Sequence, residues 1–86
     1  MVNEVWTMVS TTNERFKYLE GTAGILQYSF VQNVYWFNDF QTSQVDKIKR
    51  TKKTITVTTL NSVYKFKRIT KWVYYRLQNG IMKETN

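Results

Sequence analysis

Basic residues recur at Lys47, Lys49, Arg50, Lys52, Lys53, Lys65, Lys67 and Arg68, and from Lys47 to Lys83 the chain carries eleven of them and no carboxylate. Side chains of this type and density do one kind of chemistry well. They hold anions, as compact ammonium charges or forked guanidinium groups set against phosphate or carboxylate oxygens. Catalysis calls for other groups. The chain has no histidine, the commonest general base, and no cysteine to serve as a thiol nucleophile. The stretch "GTAG" at residues 21–24 lacks the glycine and lysine spacing of a phosphate loop. Glu4, Glu14, Glu20, Asp39 and Asp46 fall at scattered spacings, and only Asp39 and Asp46 flank a common loop. A divalent cation needs its carboxylates clustered. A non-enzymatic protein without metal or cofactor is therefore expected.

The charge is divided unevenly. Residues 1–46 hold two bases and five acids, a net of −3, whereas residues 47–86 hold eleven bases and one acid, a net of +10. Asymmetry of this kind points to an anionic partner for one side of the molecule. At 86 residues the chain is expected to form a single β-rich domain spanning 1–86, with no disulfide to support a small core. Fourteen aromatic residues must supply much of that core. The opening "MVNEVWTMVS" has neither the basic nor the apolar region of a secretory signal, and no apolar run approaches the ~20 residues that cross a bilayer. A soluble protein in the cytoplasm of a host cell, with no membrane partner, is the expectation.

The elements that must position the basic residues are strands, because β-branched and aromatic residues dominate and alanine appears once. Residues 2–12 alternate imperfectly, "TNE" reads as a turn, and residues 15–20 read as a second strand with Phe16 and Tyr18 on one face. Residues 25–40 read as two strands bent at Gln32 and Asn33. Three cleaner runs follow: 45–50, 54–59 and 63–68, separated by turns at Thr51-Lys52-Lys53 and Leu60-Asn61-Ser62, where Asn61 suits a turn that its side chain closes. Residues 71–77 read as a strand, with a short helix from Thr70 to Gly80 as the alternative. The fold class is mainly β, a small barrel or rolled antiparallel sheet that includes a basic three-stranded meander.

Alternation divides the meander into two faces. Ile48, Ile55, Val57, Tyr64 and Phe66 face inward, while Lys47, Lys49, Thr54, Thr56, Thr58, Lys65 and Lys67 face outward, because a one-residue slip would bury lysines. Arg50, Lys52, Lys53 and Arg68 are expected to extend the outer face. Three uses suit such a face: contact with nucleic-acid phosphate, contact with an acidic protein surface, or solvation that keeps strands from aggregating. Ordinary soluble surfaces mix both signs of charge, which favours a use. The outer positions hold no aromatic, so nucleic acid, DNA or RNA, would be held by its backbone without regard to sequence. The block "VYWF" at residues 34–37 is apolar on both faces. It reads either as a central strand or as an association surface through Tyr35 and Phe37, which would make a homo-oligomer.

Residues 42–66 also resemble a pattern found in small phage and prophage proteins of unassigned function, in which a strand pair carries T-x-N-S-x-Y, here Thr59, Asn61, Ser62 and Tyr64. The resemblance spans less than a third of the chain and implies a compact β module from a mobile element, without implying an activity. On these grounds the leading expectation is a small binding module that grips nucleic-acid phosphate. The alternatives are a phage-encoded inhibitor of a host or defence protein, such as a nucleic-acid enzyme, and a structural virion or assembly protein.

Overall fold

A computed structural model describes residues 4–69, which form eight strands and one 3₁₀ helix in two antiparallel sheets. The larger sheet contains β1 (Val5–Thr11), β2 (Ala23–Gly24), β6 (Val45–Arg50), β7 (Thr54–Thr59) and β8 (Val63–Ile69), in the order β2-β1-β8-β7-β6. The smaller contains β3 (Leu26–Ser29), β4 (Val34–Phe37) and β5 (Phe40–Gln41), with β4 in the middle. Among the described residues the edges β2 and β6 do not pair, so the large sheet does not close into a barrel. The alternative strand and helix readings of residues 70–77 lie outside the described residues.

The basic meander adopts the alternation its residues impose. Ile55 pairs with Phe66 and Val57 with Tyr64, and all four are buried on one face of the sheet. Trp6 and Met8 of β1 join them, and the small sheet lays Tyr35 and Phe37 on top. The Phe37 and Phe66 rings meet at 5.1 Å between centroids, tilted by 53°, a favourable aromatic arrangement. Ile48 shares this face, opposite Val57, yet remains 39% exposed because β6 is the sheet edge. Its expected place in the core is therefore only half realised.

Residues 14–19 are not a strand. Glu14–Leu19 is a 3₁₀ helix kinked at Phe16, with Asn13 as its cap, whose side-chain oxygen accepts from the Arg15 N–H at 3.0 Å. The backbone of Thr11 is already engaged by side chains from this segment. Its N–H donates to Glu20 Oε2 at 2.9 Å, and its carbonyl accepts from Lys17 Nζ at 3.0 Å. Those bonds take the place of a hairpin ladder at this level. The chain rejoins β1 lower down, where the Gly21 N–H donates to the Met8 carbonyl at 2.8 Å and Gly21 adopts a φ of +86°.

Two asparagines in the left-handed region set the small sheet. Asn33, with a φ of 57°, ends the β3–β4 turn, and Asn38, with a φ of 55°, opens the β4–β5 turn. Asparagine tolerates this conformation and supplies local hydrogen bonds. Asn38 Oδ1 accepts from the Ile25 N–H at 3.1 Å, and its Nδ2 donates to the Ala23 carbonyl at 3.2 Å. Asn61 differs from expectation. The β7–β8 turn is closed by Thr59 and Ser62, through a backbone bond of 2.8 Å and a bond of 3.2 Å from the Ser62 N–H to Thr59 Oγ1. Thr59 already sits at the strand end with its hydroxyl turned back on the chain, so the turn closes without the Asn61 amide.

Two predictions follow from this packing. Ile55→Asp buries an unpaired carboxylate and should cost about 4 kcal/mol or more, enough to unfold so small a domain. Thr56→Asp, one residue on, places a carboxylate between Lys49 and Lys65 and should change stability by no more than about 1 kcal/mol. Urea unfolding of both variants checks the face assignment, and equal damage contradicts it. A Cβ on Gly24 meets the Asn38 carboxamide, so Gly24→Ala should cost about 1–3 kcal/mol by displacing both Asn38 bonds. In an Asn38→Gly background the same change should cost much less, a coupling that a double-mutant cycle reads directly.

Candidate nucleic-acid interface

The register of the large sheet gathers lysines and hydroxyls on the face away from the core. Lys49 of β6 stands opposite Thr56 of β7, Thr56 opposite Lys65 of β8, and Lys65 opposite Ser10 of β1. The next row runs Thr54, Lys67 and Thr7, and a third runs Lys47, Thr58 and Val63. Among the described residues no lysine faces another across a strand pair, which avoids the directly opposed like-charge contact that costs up to about 1 kcal/mol. Strand geometry sets Lys49 and Lys65 about 10 Å apart across β7, and alternate residues on one strand about 7 Å apart. All four lysines are exposed, and among the described residues none pairs with a carboxylate. Asp46, the meander's one acid, lies at the bulge between Val45 and Lys47.

Lys52 and Lys53 occupy the β6–β7 turn, where the chain is held by the Thr51 N–H to Thr54 carbonyl bond of 2.9 Å and the Thr51–Thr54 hydroxyl contact of 2.6 Å. They extend the row of charge at one end of the sheet. The two arginines do not extend it. Arg50 pairs with Ile55 and Arg68 with Trp6, so both hold register positions of the core side. Arg50 Nη2 donates to the Tyr35 hydroxyl at 3.0 Å, and Arg68 Nη1 donates to Glu4 Oε2 at 3.2 Å. The reason is the period of two, which separates 50 and 68 from the odd-numbered lysines.

Tyr35 and Phe37 are 2% and 1% exposed. They are core side chains of the central strand of the small sheet, so the association surface expected through them is corrected: the inner face of the large sheet covers both. The exposed aromatic and apolar residues lie elsewhere. Phe30 and Val31, in the β3–β4 turn, are 86% and 94% exposed, and Tyr28 beside them is partly so. The sequence holds a signal for this that strand alternation alone passes over. In "SFVQN" two bulky apolar residues occupy turn positions where polar residues are usual. An open cleft of about 450 Å³ lies between the 3₁₀ helix and the β4–β5 turn, lined by Phe16, Tyr18 and Phe40, with Asp39 the charged residue among the described ones that line it. Among the described residues that line it, none is a base that would join it to the lysine face.

No protein-family model, curated protein or solved structure matches this chain. Among the described residues, no three acidic, histidine or cysteine side chains converge in the manner of a metal site, and no helix is long and apolar enough to cross a membrane.

Burial of the β4 side chains predicts the behaviour of two variants. Phe37→Ser should destabilise by about 3–5 kcal/mol and unfold the chain instead of releasing a folded monomer. Tyr35→Phe removes only the bond to Arg50 and should cost about 1 kcal/mol. Circular dichroism with thermal melts separates these outcomes.

Proposed function

We propose that this protein is a small binding module that holds nucleic-acid phosphate on the outer face of its large sheet, without sequence specificity. One observation carries the reading: four exposed lysines, without a carboxylate partner among the described residues, share one sheet face in which most intervening register positions are threonine or serine. Ammonium groups supply the charge that displaces counterions from a nucleic acid, and hydroxyls add neutral donors to phosphate oxygens. Lysine on a flat sheet offers point charges and lacks the forked geometry that reads base edges. The phage or mobile-element origin suggested by residues 42–66, and a place in the host cytoplasm, belong to the same proposal.

An acidic protein surface offers oxygens to the same lysines. The composition of the face favours nucleic acid. Protein interfaces draw their energy from buried aromatic and arginine anchors, whereas the register positions of this face hold no aromatic among the described residues, its large apolar side chains being Val63 and the Val5–Ile69 pair at one end, and both meander arginines are turned from it.

Salt dependence tests the proposal. If the face neutralises about five phosphates, the logarithm of duplex affinity should fall with log salt at a slope of about −4 to −5. Replacing Lys47 and Lys65 together with Gln should reduce that slope by about two, while Arg68→Gln, which alters the core-side pair with Glu4, should leave it within about half a unit. Anisotropy titrations over a salt series measure both. Unchanged binding by the double variant at every salt concentration would reduce the face to a solvated surface.

A further inference from the structure

Resting on the nucleic-acid reading of the lysine face, we infer that the β3–β4 hairpin is a base-stacking platform and that the ligand class is single-stranded nucleic acid. The hairpin presents Phe30 almost wholly to solvent, with Tyr28 edge-on to it at 6.5 Å between centroids and an interplanar angle of 81°. An edge-on pair leaves ring faces open to a planar base. Tyr28 is held in place from two sides. Its hydroxyl donates to Asn33 Oδ1 at 2.6 Å, and its ring lies 5.1 Å from that of Tyr35. Tyr35 in turn accepts the Arg50 guanidinium at its hydroxyl. The two exposed rings, Phe30 and Tyr28, thus stand in front of the buried Tyr35, which holds the Arg50 guanidinium, and aromatic surface beside cations is what sequence-tolerant single-strand binders use.

The platform is moored to the strand that borders the lysine face. The Asn33 carbonyl accepts from the Val45 N–H at 2.8 Å, and Asn33 Nδ2 donates to the Val45 carbonyl at 3.0 Å. Val45 begins β6, the edge strand with Lys47 and Lys49 on its outer face and Arg50 on its inner one. Phosphates on the lysines and bases on Phe30 therefore require a backbone that passes over the β6 edge. A flexible single strand makes that turn. A duplex, stiff over about 50 nm, does not. Arg50, held at the Tyr35 hydroxyl, is the cation fixed next to these rings, and the tip offers Phe30 and Val31 beside polar Gln32 and Asn33, a small area for insertion into lipid.

The test compares labelled oligothymidylate with a duplex of matched length, in titrations of the full chain at low salt. The parent should prefer the single strand. Phe30→Ala and Phe30→Leu should each weaken single-strand binding by about tenfold or more, with duplex affinity held within about twofold, and Phe30→Trp should restore the parental value. Leucine is the deciding variant, because it preserves apolar contact and removes the stacking face. Equal binding by the Leu variant and the parent, or a parent that prefers duplex, overturns the platform. So does a Phe30-dependent association with anionic vesicles, or between copies of the chain, without any change in oligonucleotide affinity. If the lysine double variant lowers the salt slope while every Phe30 variant binds as the parent does, the phosphate-binding face survives and the platform alone falls. A parent that binds neither probe overturns both.

Discussion

The contact between the two sheets, with Tyr35 and Phe37 of β4 laid on Met8, Val57, Tyr64 and Phe66, is the constraint on which the rest of the molecule depends. Strands alternate with a period of two, so fixing which residues meet in this layer fixes which residues leave it. Phe66 inward means Lys65 and Lys67 outward. Val57 inward means Thr56 and Thr58 outward. A chain of this size has one core, and a slip of one residue on β8 would exchange two buried aromatics for two buried lysines, a penalty far larger than the stability of a small domain. The cationic face follows from the packing of the other side.

Holding a small sheet over a larger one requires turns that bring its strands back within few residues, and here asparagine does this work. Asn33 and Asn38 both enter the left-handed region and use both ends of their carboxamides. Thr42, buried at the end of β5, accepts from the Tyr35 N–H and donates to the Ser43 carbonyl. Among the described residues no buried side-chain nitrogen or oxygen lacks a partner. In a fold with two short sheets and many loops, that satisfaction matters as much as apolar area, because each orphaned group costs about 1–3 kcal/mol.

Arginine and lysine are used differently within one meander. The guanidinium groups are committed inside the molecule's own framework, Arg50 to the hydroxyl of a buried tyrosine and Arg68 to Glu4. The lysines are left to solvent among threonines. This matches their chemistry, since the planar fork is suited to fixed geometry and the hydrated ammonium to mobile charge. The lysine face therefore presents charge without fixed shape, and Arg50 is a single charge fixed against a buried ring.

Much of this was legible in the sequence. The three meander strands, the places of their turns and the two-sided partition of residues 47–50, 54–59 and 63–68 follow from alternation alone, because the period of a strand is a local property of the backbone, while the bulge at Asp46 breaks it. The mainly β character follows for the same reason. Other features required the tertiary structure. Residues 15–20 alternate well enough to pass for a strand, but Lys17 and Glu20 occupy the Thr11 backbone and the segment coils. The apolar block at residues 34–37 could be core or surface until a second sheet was seen to cover it. Arg50 and Arg68 share the parity of Ile48 and Phe66, so alternation already sets them apart from the lysines, and the tertiary structure adds their partners, the Tyr35 hydroxyl and Glu4. Phe30 lies in a turn, where neither period nor propensity says whether an aromatic folds inward. The structure leaves it exposed, on a hairpin whose end Asn33 fixes through a left-handed backbone and two bonds to Val45. Periodicity is local and can be read along the chain, whereas contacts between residues far apart exist only once the two sheets have met.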